Sequence, residues 1–164
     1  VEASAAPGDA YAPHRAHSTL QPFYFIVVFW GERFRDYLVD FCLPSLLAPG
    51  NIPALSNGSG NRFIFCTTSD DWSVLNSTPV FHLLKRYIEP HFIEIPPAPS
   101  ERSGCEYMGV GHQLATQMAY RDRAYGVFIT PDFMISDGSG AALEPHARAG
   151  RHVVLAAAPE TGTM

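Results

Sequence analysis

A chain of 164 residues is long enough for one domain with a sizeable core, and its 46% hydrophobic and 12% aromatic content fits a folded globular protein. A formal charge of −5 with no basic block argues against a nucleic-acid footprint or a polybasic membrane patch. The longest apolar runs are about eight residues, too short to cross a bilayer.

Residues 1–22 are rich in Ala, Pro, Ser and His without a period and read as a mobile arm. The character changes at "FYFIVVFW" (Phe23–Trp30), a continuous β-branched and aromatic run expected of a strand buried on both faces. In "ERFRDYLVDFCLPSLL", Phe34, Leu38, Phe41, Leu43 and Leu46 recur at roughly helical spacing, and Pro44 is expected to kink or end that helix. Ala48–Asn61 is a turn-rich loop, and "RFIFCTT" (Arg62–Thr68) a second buried strand. "SDDW" leads into a helix expected to start near Pro79, with Thr78 as its cap. "HFIEI" (His91–Ile95) is a shorter third strand closed by "PPAP".

A helix is then expected at about Met108–Arg123, with Val110, Leu114 and Met118 on one face. "YGVFIT" (Tyr125–Thr130) reads as a fourth strand, "GAALEPHARAG" as a short helix limited by Pro145, and "RHVVLAA" (Arg151–Ala157) as a fifth strand. Five alternations of strand and helix predict an α/β domain over 23–158, with a mostly parallel five-stranded sheet and helices on both faces, leaving 159–164 as a tail or truncation point. The first residue, Val1, is expected of a processed or cut form. Cys42, Cys66 and Cys105 are widely spaced, with no zinc or disulfide pattern, which favours a reducing, cytoplasmic compartment.

In parallel α/β sheets, ligands bind beyond the carboxyl ends of the strands. Those ends carry "FWGE", "TTSDD", "PPAP" and "TPDFMISDGS", an acid-bearing rim above an apolar sheet. Asp132 and Asp137, with four residues between them, either turn and cap the chain or face a divalent cation or sugar hydroxyl. Gly138, Ser139 and Gly140 stand at a helix start, where free amides can hold a phosphate or simply cap. Asp70 and Asp71 follow the second strand, where an acid can meet a ribose or merely begin a helix. Gly31, between Trp30 and Glu32, permits close backbone approach. His112 is the histidine that leads towards the acid loop; the others form no ligand spacing. "GCEYMGVGH" lacks the lysine and spacing of a P-loop, and no Gly-x-Ser-x-Gly elbow is present.

Phe25–Leu55, "RFIFCTTSDD", the helix with "GHQLA" and "TPDFMISDGS" together resemble the nucleotide-binding half of GT-A-type glycosyltransferases, and more closely bacterial glycosyltransferase-like proteins. The resemblance covers about residues 23–158. It implies a Rossmann-like fold and a nucleotide-sugar donor across the first, second and fourth strand ends. In that picture Trp30 and Gly31 approach the base and Asp70 the base or ribose, while Asp132 or Asp137 replaces the family's metal-binding acid pair, with Mn or Mg as the implied ion. The acids are spaced more widely than in that pair, and no acceptor-binding half follows the fifth strand in this sequence. "SDGSGAALEPHARAGRHVVL" also resembles the donor-site segment of GT-B glycosyltransferases and of sugar-nucleotide epimerases. A non-catalytic α/β interaction domain, with its rim acids acting only as caps, is the third expectation.

Overall fold

A computed structural model describes residues 20–56, 60–96 and 104–155. Four strands, β1 (Phe23–Val28), β2 (Arg62–Thr67), β3 (Glu89–Glu94) and β4 (Tyr125–Ile129), form one sheet in the order β3-β2-β1-β4. Every pairing is parallel, with Ile26 opposite Ile64 on one side and Phe128 on the other. β1 is central and every one of its residues is buried, which is why its sequence is apolar throughout rather than alternating.

The helices divide between the two faces. On one lie α1 (Glu32–Tyr37), a π-helical turn (Leu38–Cys42), α2 (Leu43–Leu46), α3 (Ser69–Asn76) and α4 (Pro79–Leu84). Their Leu38, Leu43, Leu46, Leu75, Phe81 and Leu84 meet Phe25, Phe63 and Phe65 in the larger core. The other face is covered by α5 (Gly104–Arg121), whose Tyr107, Ala115 and Ala119 pack on Ile26, Val28, Ile64 and Cys66. Each large side chain so buried contributes about 1.5–3 kcal/mol.

Local chemistry explains the boundaries. Pro44 does not end its helix, which runs on to Leu46. The turn ahead of it widens, so that the Leu43 N–H reaches back five residues to the Leu38 carbonyl. That widening relieves the clash a proline ring makes with the carbonyl four residues earlier. Thr68 caps α3 by accepting from the Asp71 N–H, so "SDDW" opens a helix of its own. Thr78 caps α4 in the same way, with Pro79 in its first turn.

The expected fifth strand is absent among the described residues. Residues 151–155 are irregular, with Val153 73% and Leu155 91% exposed. The preceding helix, α6 (Leu143–Arg148), explains this, because its Leu143 and Ala147 pack on the α1–α4 side. The β1→β2 crossover runs on that side in one direction. A crossover on the same side to the free flank of β4 runs in the other, and so has the opposite, left hand, found in only about 2% of such connections. The expected arm lies outside the described residues up to residue 19. Leu20 packs on the larger core, and the Pro22 carbonyl accepts from the Tyr125 N–H. The 159–164 tail is likewise outside the described residues.

Candidate functional site

The order β3-β2-β1-β4 places the reversal of chain direction across the sheet between β1 and β4. The loops leaving those two strands both run to the α1–α4 side, whereas α5, which leads into β4, covers the other face, and the candidate crevice lies at the carboxyl ends of β1 and β4. Trp30, Gly31, Thr130 and Asp132 stand there.

On the α5 side, Trp30 meets the Tyr107 ring edge-on at 4.6 Å between centroids. Tyr107 is 2% exposed, yet its hydroxyl has no hydrogen-bond partner among the described residues. Burial raises its pKa, so the group stays a neutral phenol. Thr130 follows β4, and strand alternation carries it to the same face as Phe128; its buried hydroxyl is also unpartnered among the described residues. His112 is half-buried and meets Phe128 edge-on at 5.5 Å. Burial lowers its pKa, which leaves a neutral imidazole at physiological pH. A third unpartnered hydroxyl, Thr67 at the end of β2, lies on the opposite face with Phe65. An unpaired buried hydroxyl costs about 1–3 kcal/mol. At the amino edge of the sheet, in contrast, Tyr24, Arg62 and Asp122 satisfy one another.

Asp132 is exposed and lies on the α1–α4 side, near Cys42. Burial, with the Asp132 charge in addition, pushes the Cys42 thiol up to about 12, so it is an inert core group. Asp137, the other acid of the loop after β4, does not cap α6, whose N-cap is Ala142 without a side-chain bond. It accepts from the Gly50 N–H at 2.7 Å. The Gly140 N–H is taken by Asn51 Oδ1 at 2.7 Å, and a Cβ on Gly140 would lie 2.6 Å from Asn51 Cα. Ser139 is exposed in a turn closed onto the Ser136 carbonyl. This Gly-Ser segment is therefore stitched to the 48–51 loop.

Asp70 is exposed on the first turn of α3, whereas its neighbour Asp71 is 5% exposed. Asp71 accepts from the Gly31 N–H at 2.8 Å, from the Thr68 hydroxyl at 2.9 Å and from Arg35 at 2.9 Å. The Gly31 amide is thus engaged by the protein itself. Gly31 has φ 83° and ψ 154°, a backbone state open to glycine. Tyr107 and Thr130 carry no sequence signal, but the Thr68-x-x-Asp71 spacing is that of a capping box and marks Asp71 rather than Asp70.

As a divalent-cation site the residues fit poorly. One oxygen of Asp137 is turned to Gly50, and no group of three or more His, Cys, Asp or Glu side chains able to hold a metal exists among the described residues. No helix among the described residues is long and apolar enough to cross a membrane. No protein-family model matches the chain, and no curated protein or solved structure matches it either. What is established is the class: an α/β domain with an all-parallel four-stranded sheet.

Proposed function

We propose that the crevice between the ends of β1 and β4 binds a nucleotide-sugar donor, and that the chain is a glycosyltransferase-like, Rossmann-type donor-binding domain. One observation supports this above the others: Tyr107, whose buried hydroxyl is unpartnered among the described residues, packs edge-on against Trp30 just past the end of β1, and a second unpartnered buried hydroxyl, of Thr130, follows the end of the neighbouring β4. Trp30 offers a face for a planar base. Tyr107 and Thr130 offer neutral hydrogen bonds to base or sugar, and Asp132 faces the polar end of the donor from the other side. Asp70 is exposed within the neighbouring first turn of α3, in reach of solvent-borne ligands.

Transfer itself needs an acceptor site and a group to activate the acceptor hydroxyl. The reading is therefore of donor binding. The GT-B and epimerase alternative draws on the Gly-Ser segment, whose Gly140 amide is engaged by Asn51 and thus not presented to a phosphate. The non-catalytic alternative draws on the same observation, together with the structural engagement of Asp71 and Asp137.

Calorimetric titration with UDP- and GDP-sugars, with and without manganese, tests the reading. Wild-type protein binds one of them, and Asp132→Asn weakens that binding about tenfold, near 1.4 kcal/mol, with the melting temperature nearly unchanged. Absence of binding by folded wild-type protein, or unchanged affinity in Asp132→Asn, refutes it.

A further inference from the structure

We infer that Asp71 is a positioning residue for this crevice: it fixes the reach of Trp30 by holding the Gly31 amide, an inference that takes its ligand from the nucleotide reading above. Trp30 lies between two backbone anchors. Before it, the Phe29 N–H donates to the Cys66 carbonyl at 3.1 Å, which extends the sheet. After it, the chain turns through the positive-φ conformation of Gly31, and the Gly31 N–H ends on Asp71 Oδ2. With no Cβ at position 31, no side chain there restrains the turn.

The anchor comes from 40 residues away in sequence and is charged, buried and triply bonded. Thr68 donates to the same oxygen that receives Gly31, which orients the carboxylate. Arg35, on the helix that Gly31 opens, binds the other oxygen and neutralises it. The Trp30 ring then rests on Tyr107. If Asp71 were only a helix cap, Thr68 would suffice as its partner. The Gly31 and Arg35 bonds tie the end of β1 to the start of α3, so the acid after β2 governs the aromatic after β1.

Trp30 and Trp72 are the only tryptophans, so a Trp72→Phe background leaves Trp30 as the sole tryptophan emitter under excitation selective for tryptophan. In that background, Asp71→Ala is expected to red-shift Trp30 emission and to weaken UDP binding about tenfold or more. Arg35→Gln removes the ion pair but leaves the Gly31 acceptor. It is expected to lower the melting temperature while emission and UDP affinity stay near wild type. Equal effects of Arg35→Gln and Asp71→Ala on emission, or unchanged emission in folded Asp71→Ala, overturn the inference. If Asp71→Ala alone red-shifts the emission but no UDP binding is found in the wild type, the positioning role stands and the nucleotide reading falls.

Discussion

On the donor-binding proposal, the Tyr107 hydroxyl, unpartnered among the described residues, sets stability against binding at a single atom. Tyr107→Phe removes a buried polar group with no partner among the described residues. It is expected to raise stability by about 1 kcal/mol in denaturant melts while weakening nucleotide affinity. A gain in stability with unchanged affinity would leave the hydroxyl without a ligand role. Asn51 is the converse case. It is fully buried, donates to the Ser45 and Ser136 carbonyls and accepts from the Gly140 N–H. Asn51→Ala strands all three groups and is expected to cost about 2–4 kcal/mol by the same measurement. His112 supplies a pH signature. Its folded pKa lies below the ordinary 6.5, so the unfolded chain binds the proton more readily. Its contribution is fully present above about pH 6.5 and is lost as pH falls through the folded pKa. Melting curves from pH 5 to 8 check this, with His112→Gln expected to flatten the acid side.

At the scale of elements, the first four strands and the Thr78–Pro79 helix start were legible because their signals are local, continuous apolar runs and a cap beside a proline, whereas the apolar run after Arg151 predicts a strand that the described residues do not form. The face of α5 was not. Val110, Leu114 and Met118 carry the bulk, but Tyr107, Gly111, Ala115 and Ala119 face the sheet. Close approach of helix to strand demands small residues, which a reading by hydrophobic size passes over. At Gly111 a Cβ would fall 2.7 Å from Val28 Cγ1 and 3.0 Å from Cys66 Cβ. Gly111→Ala is therefore expected to destabilise by about 1–3 kcal/mol through overpacking, despite alanine's better helix propensity, as denaturant melts would show. The site was legible only in part for a similar reason. Trp30, Gly31 and Asp132 could be placed from strand ends, but the Asp137–Gly50 bond joins residues 87 apart and leaves no local trace.

For the whole molecule, the parallel order has a consequence in time. Tyr24 pairs with Arg62, 38 residues on, but also with Gly126, about 100 residues on. Closing the longer loop costs about 0.9 kcal/mol more by chain statistics. Among the described strands β4 is also an edge, paired with β1 alone. The β1–β2–β3 portion is thus expected to assemble first and open last, with β4 docking late and leaving early. Native-state hydrogen exchange checks this: β4 amides should exchange through openings of lower free energy than those of β1 and β2, and equal protection would refute it. The crevice then lies on the seam that forms last. A ligand that touches the ends of both β1 and β4 acts as a clasp on that seam, slowing exchange in β4 far more than in β2, so that occupancy of the crevice is written into the lifetime of the closed sheet.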